Sequence, residues 1–168
     1  MIKIIKPLLA LSILLSCSSS DNDETPEEDT FLCCGENPFQ NINNLNEGNE
    51  VITVYEAFTP NGDGLNDFFG IRNIELYNNT TVSIYDLNDN LVFEIQNYAS
   101  TPFHYFSGYH HITNEELPFG SYKYKIVVEN EQTYLNQGYL CIIRHFSDAN
   151  GHSFNSCIDI SGIDPLII

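Results

Sequence analysis

The residues best suited to chemistry stand in one short run, Phe58-Thr59-Pro60-Asn61-Gly62-Asp63-Gly64-Leu65-Asn66-Asp67-Phe68-Phe69. Side-chain oxygens at Asn61, Asp63, Asn66 and Asp67, with Gly62 and Gly64 free to take positive φ, let a tight loop fold its oxygens inward. Hard cations want that arrangement, because Ca²⁺ takes roughly six to eight oxygens and tolerates irregular geometry. The run is not an EF-hand: no helical pattern flanks it, and the closing Glu is missing. Two readings stand side by side. One is a Ca²⁺ site on Asn61, Asp63, Asn66 and Asp67; the other is an Asx-rich turn whose side chains hydrogen-bond their own backbone.

Four cysteines in the body, Cys33, Cys34, Cys141 and Cys157, form the second candidate set. An even number in an exported chain argues for disulfides. Sequence neighbours rarely bond to each other without strain, so the economical pairing joins Cys33 and Cys34 to Cys141 and Cys157, in an order the sequence leaves open. Free thiols and a Cys₄ zinc site compete with this, although structural zinc sites favour spaced cysteine pairs. His104, His110, His111, His145 and His152 form no metal-ligand or triad pattern, and neither G-x-S-x-G nor H-E-x-x-H occurs. A catalytic set is not expected.

The elements that must position these residues are strands. Period-two alternation begins at Val51. Val82 and Ile84, then Leu91, Phe93 and Ile95, alternate with Ser83, Tyr85, Val92 and Glu94, and Leu87-Asn88-Asp89-Asn90 between them has turn chemistry. Tyr122, Tyr124, Ile126 and Val128 form a second such run, and Glu129-Asn130-Glu131-Gln132 turns it into residues 133–144. Residues 51–58 and a short piece at 69–77 add further strands. The fold class expected is all-β, an antiparallel immunoglobulin-like β-sandwich of about seven strands over residues 51–144. A Cys-containing lead-in (31–50) precedes it and a tail (145–168) follows, which cysteine bonding would fasten down.

Of the chain's 168 residues, Lys and Arg supply 6 and Asp and Glu 23, a formal charge of −17. Beyond residue 16 the cations are Arg72, Lys123, Lys125 and Arg144. A nucleic-acid partner is therefore not expected, since phosphate binding needs a basic stripe. Residues 1–16 carry Lys3 and Lys6 ahead of an apolar stretch from Pro7 to Leu15, the pattern of a secretory signal peptide too short to span a bilayer. Leu14-Leu15-Ser16-Cys17 resembles the lipobox of bacterial lipoproteins, which implies lipidation at Cys17 and membrane attachment through that lipid. Residues 17–30 are acidic and almost free of apolar side chains, as in a disordered tether. Ser followed closely by acids resembles the surface-export signal of Bacteroidota lipoproteins.

The Pro60-Asn61-Gly62-Asp63-Gly64-Leu65-Asn66-Asp67 run also resembles the opening motif of the gliding motility-associated C-terminal domain, the type B sorting domain of the type IX secretion system in Bacteroidota. The resemblance continues through Ile74-Glu75-Leu76-Tyr77-Asn78-Asn79, Val82-Ser83-Ile84-Tyr85, Asn90-Leu91-Val92-Phe93-Glu94 and Leu117-Pro118-Phe119-Gly120-Ser121-Tyr122, and it ends at Gly138-Tyr139-Leu140-Cys141-Ile142-Ile143-Arg144. Two family tryptophan positions differ: Asp86-Leu87-Asn88-Asp89 stands for Asn-Arg-Trp-Gly and Phe106-Ser107-Gly108 for Trp-Asp-Gly. Two functions follow as expectations. The first is a lipid-anchored, surface-exposed outer-membrane lipoprotein that acts as a non-catalytic interaction module for an outer-membrane or secreted protein, as an accessory subunit in gliding or secretion. The alternative is type IX secretion cargo whose domain serves as a sorting signal.

Overall fold

The computed structural model describes residues 31–48, 50–149, 151–154 and 157–158. The signal peptide, the lipidation site at Cys17 and the acidic tether fall on residues 1–30, outside the described residues, as does the end of the tail. Among the described residues no helix is long and apolar enough to cross a membrane.

The centre is a long hairpin. β7 (Gly120–Glu129) pairs with β8 (Thr133–Ile142) over its whole length, from Gly120↔Ile142 to Glu129↔Thr133. Asn130 closes the turn by accepting a 2.7 Å hydrogen bond from the Gln132 N–H. β5 (Thr80–Tyr85) runs antiparallel to β7, and β6 (Leu91–Gln96) antiparallel to β5. The β5–β6 turn hangs on Asp86, whose carboxylate accepts from Asn88 N, Asn90 N and Asn90 Nδ2 at 2.7–2.9 Å. The Asn90 side-chain bond in particular lowers the Asp86 pKa. The other edge of β8 is shared by β1 (Ile42–Asn43), antiparallel at Leu135 and Tyr134, and β3 (Ala57–Phe58), parallel at Cys141 and Ile142. β2 (Thr53–Val54) and β4 (Ile71–Arg72) make a separate two-stranded sheet.

This is an all-β sandwich with unequal layers. One face of the six-stranded sheet carries Val82, Ile84, Tyr122, Tyr124, Ile126, Val128, Leu140 and Ile142. Against it pack Phe58 of β3, Ile71 of the small sheet with Phe69 and Ile74 beside it, and Tyr98 and Phe106 from the segment between β6 and β7. Tyr98 pins that looser layer: its buried hydroxyl donates to Phe69 O at 2.7 Å and accepts from Phe106 N at 3.0 Å. Burial raises its pKa well above the phenol range. Gly138 makes room for Tyr124, its partner across the β7–β8 ladder, because an added Cβ would lie 2.6 Å from the Tyr124 hydroxyl and 2.7 Å from its ring.

The alternation places most core residues but not every strand. Residues 51–58 do not form one strand, because the chain changes partner midway. Tyr55 N donates to Gly70 O in the small sheet at 2.9 Å, whereas Glu56 O accepts from Cys141 N of β8 at 2.8 Å. Residues 69–77 divide likewise into β4 and a 3₁₀ turn at Ile74–Leu76. On β6 the phase breaks at a bulge opposite Ile84 and Tyr85, so Val92 is buried while Leu91 is exposed. β1 lies within the lead-in, where no strand pattern is visible.

Candidate functional site

The loop leaving β3 is built by its own side chains. Thr59 N donates to Asn66 O at 2.8 Å and closes its neck. Inside, Asp67 Oδ1 accepts from Gly62 N at 2.7 Å and Asp67 Oδ2 from Gly64 N at 2.8 Å. Asp63 accepts from Leu65 N at 2.8 Å and from Asn61 Nδ2 at 2.9 Å, while Asn61 Oδ1 accepts from Asp63 N at 3.0 Å. Gly62 (φ 80°) and Gly64 (φ 89°) turn their N–H groups toward the Asp67 carboxylate, a backbone conformation that a Cβ disfavours. Asn66 also lies in the left-handed region, at φ 48°. All four residues of the sequence set thus share one loop, with both carboxylates turned onto the loop's own N–H groups.

A cleft of about 590 Å³ opens beside this loop, lined in part by Asp67, Phe68, Tyr109, Glu116 and Arg144. Arg144 ties its walls together. Its guanidinium donates to Pro60 O (3.0 Å), Gly108 O (2.9 Å) and Leu117 O (3.1 Å), and pairs with Glu116 Oε1 at 2.9 Å. Gly108 (φ 79°) admits this approach, since a Cβ there would sit 2.9 Å from Arg144 Nη2. Asp148 Oδ2 accepts from Arg144 N and His145 N at 3.0 and 2.8 Å and caps α1 (Phe146–Ala149). The sequence marks Arg144 as the end of the last strand but not as the link among three loops. Its partners are mostly carbonyls, which carry no residue signature.

The cysteines meet on the opposite face of β8. Cys33 pairs with Cys141 (Cα–Cα 5.8 Å) and Cys34 with Cys157 (5.2 Å), one of the two orders the sequence leaves open. Around them Phe31, Ala57, Ile143, Ala149 and Phe154 close a second apolar cluster. Leu32 N donates to Ser121 Oγ at 2.6 Å and Cys34 N to Glu56 Oε2 at 3.0 Å. Burial raises the Glu56 pKa, partly offset by that backbone hydrogen bond. Ser121, Glu56 and Phe154 escape a reading of the sequence because each matters only once distant segments meet. Of the histidines, His111 guards the free edge of β6: its N–H donates to Val92 O at 2.9 Å and its Nδ1 accepts from Glu94 N at 3.1 Å.

The model of the CHU_C type IX secretion signal domain matches residues 52–142, from just before β2 to the end of β8. The chain belongs to that family. A type IX secretion signal domain makes this a secreted or cell-surface protein. No curated protein and no solved structure matches the chain. The CHU_C match contains the Asn61–Asp67 loop, both long hairpins and Cys141. It leaves out Cys33, Cys34, Arg144 and Cys157, so most of the second cluster lies beyond the matched domain.

Proposed function

We propose that this sandwich is an export signal, read as a folded surface by the type IX secretion machinery and carrying its chain to the cell exterior. The observation that carries this is the family match across the whole sandwich, residues 52–142, with the loop and the final strand in place. The domain acts by being recognised and performs no catalysis. Finer features belong to the same reading. Lipid attachment at Cys17, supported by Leu14-Leu15-Ser16-Cys17, would hold the exported protein at the outer membrane as a surface lipoprotein. A docking role toward an outer-membrane protein draws its support from that anchor alone, and so ranks behind the export role.

The test is delivery of the full chain in a host with and without a working type IX system, read by protease accessibility on intact cells. Accessibility that persists without the system would reject the export role. Cys17→Ala separates anchoring from export: the variant should reach the exterior but wash off the membrane. We further propose Ca²⁺ as the ligand of Asn61, Asp63, Asn66 and Asp67, supported by four oxygen-bearing side chains on one loop of a chain with charge −17. Millimolar Ca²⁺ should then raise the melting temperature over EDTA by several degrees, on the order of 5 °C. No change would leave the loop as a self-bonded turn.

A further inference from the structure

The sulfurs of Cys33, Cys34 and Cys157 all lie within 4.8 Å of one another, and Cys34 Sγ is 3.6 Å from Cys33 Sγ. The two bonds differ in access: Cys33 and Cys141 are buried, at 2% and 0% exposure, whereas Cys34 and Cys157 are half-buried. Disulfides exchange by thiolate attack on a sulfur, so both access and the nearness of a second sulfur matter. We propose that Cys34–Cys157 is a thiol-exchange site for a small thiol, and that attack there is relayed to the inner Cys33–Cys141 bond.

The steps balance. A thiolate attacks Cys34 Sγ, a mixed disulfide forms on Cys34, and Cys157 leaves with the electron pair as a thiolate. Cys157 then attacks Cys33 Sγ; the Cys33–Cys157 bond forms, the Cys33–Cys141 bond breaks, and Cys141 leaves as a thiolate. Two S–S bonds exist before and two after, so the only reactant consumed is the thiol. The departing Cys141 sulfur has Ser121 Oγ at 3.7 Å, a hydroxyl able to donate to it. Attack on Cys157 instead would leave the Cys34 thiolate facing its sequence neighbour, a strained pair, so the productive target is Cys34. The result is mechanical: lead-in and tail stay joined, now through Cys33 instead of Cys34, while the lead-in loses the bond that fastened both to β8. A small thiol then unfastens the whole clamp, although the inner bond is closed to it directly.

The experiment uses the full chain purified with both bonds formed. It is incubated with 2-mercaptoethanol at mildly alkaline pH, quenched in acid, labelled with N-ethylmaleimide in denaturant and mapped as peptides. The expected products are a mercaptoethanol adduct on Cys34, a new Cys33–Cys157 link and label on Cys141. An intact Cys33–Cys141 bond after the outer bond has opened, or an adduct on Cys33, would overturn the relay. In the paired variant Cys34→Ser with Cys157→Ser, loss of Cys33–Cys141 should be at least about tenfold slower. Loss at the wild-type rate would also overturn the proposal. Should that variant fail to fold, the wild-type product map decides.

Discussion

The two apolar clusters lie back to back on the same strands and are held by different means. Along β8, Leu140 and Ile142 face the sandwich core while Cys141 faces the other way, with Ile143 just beyond the strand continuing that side. Phe58 and Ala57 divide in the same manner on β3. The sandwich core is broad and draws on every long strand, so its apolar burial suffices to order it. The second cluster is small and comes largely from two short terminal segments. So few side chains bury too little surface to order those segments, and the two cross-links supply the missing constraint. The matched domain thus carries its own apolar core, and the clamp is a smaller cluster packed on the back of it.

The larger core depends on the aromatic side chains at its centre. Phe106 is fully buried and packs on both Phe58 and Phe93. Phe106→Ala should cost about 3–5 kcal/mol, and denaturant melts should show unfolding at a lower concentration than in wild type. Replacing Cys33, Cys34, Cys141 and Cys157 together by serine removes two cross-links, each contributing about 2–4 kcal/mol. The distinguishing readout is hydrogen exchange: amides of β5 and β7 should stay protected while those around Phe31 and Phe154 open. Equal loss of protection in both regions would make the clamp part of one cooperative core.

Arg144 lies between the two regions and tests whether they communicate. Arg144→Met keeps most of the side-chain volume but leaves the carbonyls of Pro60 and Leu117 without the guanidinium donor, and Gly108 O with only its bond from Leu117 N. A loss of about 1–3 kcal/mol is expected, with proteolytic cuts appearing near Gly108. The smallest effect belongs to Glu56, whose raised pKa means the folded state prefers its neutral form. Its destabilising influence is absent in acid and grows as pH rises above its ordinary value of 4.5 through the folded value. Glu56→Gln keeps an acceptor for Cys34 N, so the variant should melt slightly higher than wild type at neutral pH. That gain should vanish below pH 4.5, as parallel melts across pH will show.

Much of this fold is legible in the sequence. The alternation in residues 120–129 places Tyr122, Tyr124, Ile126 and Val128 on one buried face, because strand side chains alternate whatever the partner. The glycine and Asx spacing in residues 61–67 announces a tight loop, because positive φ and local side-chain acceptors are properties of the residues themselves. What the sequence could not supply is everything that depends on which distant segments meet. It leaves residues 51–58 as one strand, since nothing local tells Tyr55 to pair with Gly70 and Glu56 with Cys141. It reads Leu140-Cys141-Ile142-Ile143 as an apolar run, since a strand buried on both faces loses its period. Only the tertiary structure divides that run between two cores, assigns Cys33 to Cys141 and Cys34 to Cys157, and gathers three loops onto Arg144, because pairing and burial are properties of the assembled chain.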